Sequence, residues 1–142
     1  MSSNTTHEID IVTVSASKIN SVDFENLSFG SVFTDHMFVC DFREGKWQQP
    51  QIKPYEPFLI DPSAKVFHYG QAIFEGMKAY KTEQDEVWLF RPDQNLNRLN
   101  KSAVRMAMPE IPSDIFMSGL HQLIDLERNW VKKGLGNTLY IR

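Results

Sequence analysis

Glu75–Met106 reads EGMKAYKTEQDEVWLFRPDQNLNRLNKSAVRM, and its two halves follow different periods. Glu75–Thr82 and Glu86–Arg91 are short runs separated by Glu83-Gln84-Asp85, the pattern of a hairpin. In the second run Val87 and Leu89 alternate with Trp88 and Phe90. That strand is apolar on both faces and is expected to be central in its sheet. Pro92 then stands where a helix can begin. Leu96, Leu99, Ala103 and Met106 follow at spacings of three, four and three, one face of a helix. Pro109 and Pro112 end it.

Downstream, Ser113 or Asp114 can cap a second helix. Phe116, Leu120, Leu123, Ile124 and Val131 form its apolar stripe. Lys132 and Lys133 suit the negative end of its dipole, and Gly134 can take the left-handed stop. Asn137–Arg142, NTLYIR, then reads as a strand just beginning. An unpaired strand edge wants a neighbour, so the chain is expected to be part of a longer protein.

Upstream, Val32–Phe42 is rich in β-branched and aromatic residues, Arg43–Lys46 can form a hairpin turn, and Trp47–Lys53 would return antiparallel. Pro50, Pro54 and Pro57 mark this segment as irregular or as a sheet edge. Asp61-Pro62-Ser63 is a turn, and Gly70–Phe74 can make a short helical turn. Ile9–Val14 can form a short strand, Ser15–Gly30 reads as loop, and residues 1–8 as a frayed end. The order is strands, two helices, then a strand. That is an α+β domain with helices segregated from a largely antiparallel sheet.

Composition bounds the function. The 142 residues suffice for one domain, and a net charge of -3 with a pI near 5.8 argues against nucleic-acid binding. Neither a signal peptide nor an apolar run of bilayer length is present, so a cytoplasmic protein without a membrane partner is expected. The single cysteine, Cys40, lies in an apolar run and reads as a buried, inert thiol. His7, His36, His68 and His121 lack metal-ligand spacing, so no metal is expected. GxGxxG, GxxxxGK[ST], HExxH and GxSxG are all missing.

Arg91, Arg98 and Arg105 recur every seven residues along one stripe of the first long helix. Leu96 and Leu99 flank Arg98. An arginine there can bury its stem and aim its fork into a cleft, where a permanent, planar charge suits a phosphate. The same spacing fits three solvated arginines, and on spacing alone that reading stands first.

Four blocks change the balance: FGSVFTDHMF at Phe29–Phe38, HYGQAIFEGMKAY at His68–Tyr80, LFRPDQNLNRLNKSAVRMAMP at Leu89–Pro109 and LYIR at Leu139–Arg142. In this order and spacing the chain resembles the branched-chain amino acid aminotransferases, fold-type IV enzymes that use pyridoxal 5'-phosphate. The resemblance implies a small N-terminal domain over residues 29–142, cut short at its C-terminal end, behind a flexible segment 1–28. By the same resemblance Arg98 binds the cofactor phosphate. Tyr69 and Phe74, and more weakly Phe29, line the substrate side-chain pocket. Tyr140 and Arg142 face the substrate and could receive a second substrate's carboxylate. Glu75 and Lys78 take structural or solvated roles.

The lysine that forms the Schiff base, and the acidic partner of the pyridine nitrogen, are expected beyond residue 142. Lys78, Lys101 and Lys132 do not match that motif. No catalytic residue is therefore assigned within this chain, and the chain alone is expected to be inactive. The complete enzyme would be a homodimer moving an amino group between leucine, isoleucine or valine and 2-oxoglutarate. A D-amino acid aminotransferase or an aminodeoxychorismate lyase is the alternative within the fold; the FGSVFTDHM block and the LYIR pair favour the branched-chain group. A non-catalytic domain binding a phosphorylated ligand or a partner chain is the alternative outside it.

Overall fold

The computed structural model describes residues 8–142. The expectation for the first seven residues lies outside them. The described residues form an α+β domain: five short strands, a short helix, a two-stranded hairpin, two long helices and a last strand, in chain order.

One sheet is built around β6 (Met77–Lys81), with β7 (Val87–Leu89) and β8 (Leu139–Ile141) on either side, both antiparallel. Ala79 faces Leu89 on one strand and Leu139 on the other and is wholly buried. The hairpin reading of this region holds, but the central strand is β6, not β7. Trp88 and Phe90 are 60% and 75% exposed. Trp88 looks outward because the helix at Ser113–Leu126 covers the opposite face of the sheet, where Val87, Leu89, Ala79 and Leu139 pack.

The second sheet has the order β1 (Asp10–Ile11), β5 (Gln51–Pro54), β2 (His36–Val39). β1 runs parallel to β5 and β2 antiparallel to it. Within residues 8–28, β1 is the short strand expected there. Ile52 of β5 is fully buried. The prolines do not put β5 at an edge: Pro54 is its last residue and Pro50 precedes its first, so neither interrupts the ladder. The Pro50 carbonyl even accepts from the Asp10 N–H at 3.1 Å. Between β2 and β5 a small ribbon of β3 (Phe42–Arg43) and β4 (Lys46–Trp47) turns at Glu44-Gly45, both left-handed, as a twisted two-residue hairpin requires.

The long helices follow the apolar periods. α2 spans Pro92–Arg105 and α3 spans Ser113–Leu126. Leu120 and Ile124 of α3 close over Ala79 and Val131, with Phe116, Met77, Leu89 and Leu139 around them. Asn100 of α2 clamps the connection to α3, donating to the Ile111 carbonyl at 2.9 Å and accepting from its N–H at 2.8 Å.

Three helix details depart from expectation. The short helix is α1, Lys65–Tyr69, and Gly70 ends it in the left-handed region, so it lies before Gly70 rather than after. Pro112 occupies the cap position of α3, with Ser113 and Asp114 in the first turn. And α3 stops at Leu126, well before Gly134, passing into a 3-10 turn at Arg128–Trp130. Lys132 and Lys133 then serve elsewhere: one ammonium lies 4.0 Å from the Phe24 ring centre, the other pairs with Asp85 at 2.8 Å.

The early stop of α3 has a physical cause in Glu127. Its buried carboxylate meets His36 Nδ1 and accepts the Asp35 N–H at 3.3 Å. His36 Nε2 accepts the Val14 N–H at 3.0 Å, and Asp35 accepts from Ser17 Oγ, the Lys18 N–H and the Trp130 indole. Every member is satisfied, as a buried polar network must be. It fastens residues 14–18, β2 and the end of α3 together.

Candidate cofactor and substrate site

A cleft of about 350 Å³ opens where β6 and β8 meet the first turns of α2. Arg98, Arg91, Lys78, Asn95 and Tyr140 are among its walls. Arg91, at the start of α2, holds a left-handed conformation with φ of 48°. A non-glycine residue pays for that backbone, which recurs at functional sites.

Arg98 is brought to the cleft by the apolar stripe itself. Leu96 and Ala103 are buried on α2, which packs against α3; this fixes the roll of α2 and leaves Arg98 lining the cleft with Lys78 of β6. One terminal nitrogen lies 2.8 Å from Glu75 Oε2, with the arginine side chain 59% exposed and the glutamate 17%. Asn95, buried one turn earlier, donates to the same carboxylate oxygen at 3.2 Å and to the Gly76 carbonyl at 3.1 Å.

Tyr140 stands opposite Lys78 in the β6–β8 register. Its hydroxyl lies over Gly76, where a Cβ would come within 2.3 Å of it. The Phe29 ring packs against Tyr140 with centroids 5.1 Å apart. The chain thus gathers Arg98 and Tyr140 in one cleft, with Phe29 behind the tyrosine. It does not bring the other three there. Tyr69 on α1 and Phe74 after it are 81% and 79% exposed, and Arg142 is exposed after β8; none lines the cleft.

Sequence reasoning missed Asn95 and the site role of Arg91. An asparagine next to the apolar stripe of a helix was the available signal for the first, since asparagine is unfavourable in a helix interior unless its side chain has a use. Nothing in the sequence announces the left-handed Arg91. Elsewhere, a wider hollow of about 510 Å³ among Lys18, Asp23, Asn26, Leu27 and Phe33 contains none of the expected site residues. No metal-binding cluster of His, Cys, Asp or Glu occurs among the described residues, and no helix among them is long and apolar enough to cross a membrane.

No family model matches the chain. Individual curated relatives do. The chain is 54% identical over 121 residues to the branched-chain-amino-acid transaminase 1 of Bacillus subtilis (strain 168), covering 84% of this chain and 34% of the relative. The branched-chain-amino-acid aminotransferase 2 of the same organism is 47% identical over 132 residues, 92% of this chain and 36% of the relative. A mitochondrial branched-chain-amino-acid aminotransferase of Saccharomyces cerevisiae is 46% identical over 120 residues, 83% and 30%. The chain belongs to the branched-chain-amino-acid aminotransferases. It spans about a third of the length of these relatives. The aminotransferase sequence therefore lies on a small α+β domain, with a cationic cleft at the Leu89–Pro109 block and the LYIR strand.

Proposed function

We propose that the complete protein transfers an amino group between leucine, isoleucine or valine and 2-oxoglutarate, with pyridoxal 5'-phosphate as cofactor, as a cytoplasmic homodimer. Residues 29–142 contribute the cofactor-phosphate grip and part of the substrate pocket. The cofactor-linking lysine is supplied from beyond residue 142, so the 142-residue chain alone is inactive.

The observation that carries this is the 54% identity over 121 residues to a branched-chain-amino-acid transaminase. The donor set of the cleft fits the phosphate end of the cofactor. Arg98 and Arg91 bring two planar guanidinium groups, Lys78 adds a third cation, and Glu75 meets one terminal nitrogen of Arg98. A dianion in so open a cleft needs charge that cannot be lost to a proton. Bound there, pyridoxal phosphate supplies the electron sink on which the amino group changes hands.

The chain's own residues do the rest. Arg98 holds the phosphate. The Tyr140 hydroxyl donates to a substrate oxygen, and the Phe29 ring holds the tyrosine in place. Tyr69, Phe74 and Arg142 belong to this reading as substrate contacts made in the complete assembly, since each is exposed here and free to meet further chain.

The test is transfer of ¹⁵N from labelled leucine, isoleucine and valine to 2-oxoglutarate, followed by NMR. The complete protein is expected to form labelled glutamate, and the 142-residue chain none. Failure of the complete protein with all three amino acids overturns the activity; turnover by the chain alone overturns the division of labour.

A further inference from the structure

Arg98 is a long, exposed side chain, and its usefulness as a phosphate ligand depends on where its fork rests before the ligand arrives. Fixing a free arginine costs rotamer entropy. Glu75 changes that starting point. Its carboxylate is mostly buried, and Asn95 holds the same Oε2 that meets Arg98. Asn95 is itself tied to the backbone of β6's entry through the Gly76 carbonyl. The chain of contacts runs from fixed backbone, through a buried amide, to a half-fixed carboxylate, to one guanidinium nitrogen. The arginine is the mobile member and Glu75 the anchored one.

We infer that Glu75, held by Asn95, is the positioning residue that presents the free edge of the Arg98 guanidinium to the cofactor phosphate. This rests on Arg98 being the phosphate ligand. Glu75 takes one terminal nitrogen and leaves the other N–H donors of the fork for a dianion. The opposing effect is repulsion between the carboxylate and the phosphate. Water and salt screen that repulsion in an exposed cleft, while the ordering of the guanidinium is kept.

Inorganic phosphate titrated into the 142-residue chain tests this, with the Arg98 side-chain ¹⁵N–¹H signals as readout. Glu75→Asp keeps the charge but retracts the carboxylate by one methylene, so repulsion alone predicts no change while positioning predicts a loss. The expected result is phosphate affinity three- to tenfold weaker in Glu75→Asp, and an Arg98 Nε–H signal that is sharp in the wild type and broadened in the variant before phosphate is added. Arg98→Gln is expected to lose phosphate binding by tenfold or more.

Wild-type affinity in Arg98→Gln, or no binding by the wild type, overturns the phosphate reading and this inference with it. Loss in Arg98→Gln with wild-type affinity in Glu75→Asp overturns the positioning role alone. Should Glu75→Asp not fold, Glu75→Gln replaces it. It keeps the length and one acceptor but removes the charge that holds the guanidinium; a tighter phosphate affinity with an unchanged, sharp Arg98 signal there means that Glu75 only repels, and overturns the role, whereas positioning predicts a broadened signal and weaker affinity.

Discussion

The hydroxyl of Tyr140 rests on the backbone of Gly76: a Cβ at position 76 would stand 2.3 Å from that oxygen and 3.0 Å from Cε2. The glycine is there for closeness, since its backbone is not left-handed. The tip of a tyrosine on a short strand can move about 1 Å at little cost. Gly76→Ala is therefore expected to change stability by less than about 1 kcal/mol while displacing the ring from Phe29. Urea unfolding checks the first, and loss of the Phe29–Tyr140 ring nuclear Overhauser effects the second. Intact ring contacts would sink this account of Gly76.

Gly119 poses the opposite case. It lies in the middle of α3, where alanine would raise helix propensity by about 1 kcal/mol. A Cβ there would stand 2.4–2.7 Å from three carbons of the Phe38 ring, which β2 presses against the helix. The whole ring must move, and overpacking of this kind costs about 1–3 kcal/mol. Overpacking wins over most of that range: Gly119→Ala is expected to destabilise by up to about 2 kcal/mol in urea unfolding, and a stabilised variant would show that helix and sheet pack more loosely than described.

These two glycines mark the limit of what was legible in the sequence. The apolar periods of α2 and α3 and the β6–β7 hairpin are local signals, and the hairpin and the starts of both helices stand where those signals put them. Which strand is central is not local. β7 reads as buried because Trp88 and Phe90 are apolar, yet β6 is the middle strand because Leu139–Ile141 returns to it. The end of α3 is likewise set at a distance, by the pull of Asp35 and His36 on Glu127. In the site, Arg98 was legible through the family motif. Its partner Glu75 read as structural, and only the fold puts that carboxylate and Asn95 on the guanidinium.

Glu127 is the buried acceptor of two donors, the Asp35 N–H and His36 Nδ1. Glu127→Ala leaves both without a partner inside the protein. Each orphaned donor costs about 1–3 kcal/mol, so a loss of about 2–6 kcal/mol is expected, a large share of a small domain's stability. Glu127→Gln keeps one acceptor and is expected to lose about half as much. The check is the shift of the urea midpoint for both variants; equal loss in the two would mean that charge, not hydrogen bonding, matters here.

Asp35 gives the domain an acid-sensitive contact. Burial by itself raises its pKa, but hydrogen bonds from Ser17, the Lys18 N–H and Trp130 outweigh that, and the net shift is downward from 3.8. A carboxyl with a depressed folded pKa stabilises the fold above its unfolded value and loses that contribution as pH falls through the folded one. The window is therefore below about pH 4. Asp23, Asp61 and Asp85 are also depressed, but they are exposed and salt screens their part. Asp35→Asn is expected to be less stable than the wild type at pH 7 and to show a shallower fall of the urea midpoint between pH 5 and 2 at 0.5 M salt. A parallel fall in both proteins would remove Asp35 as the cause.

Cys40 is half-buried, and its thiol donates to the Gln48 carbonyl at 3.3 Å. Burial first, and the neighbouring Asp41 charge second, push its pKa above the usual thiol value. Both disfavour the thiolate, which is the reactive form. At pH 7.5 the folded chain is expected to react with iodoacetamide at least about tenfold more slowly than a free cysteine of pKa about 8.5, and to reach that rate once unfolded in urea. Asp41→Asn removes only the smaller cause, so it is expected to quicken the folded reaction by less than threefold. A folded rate equal to the unfolded one would mean that the β2–β3 corner opens far more readily than its hydrogen bonds imply.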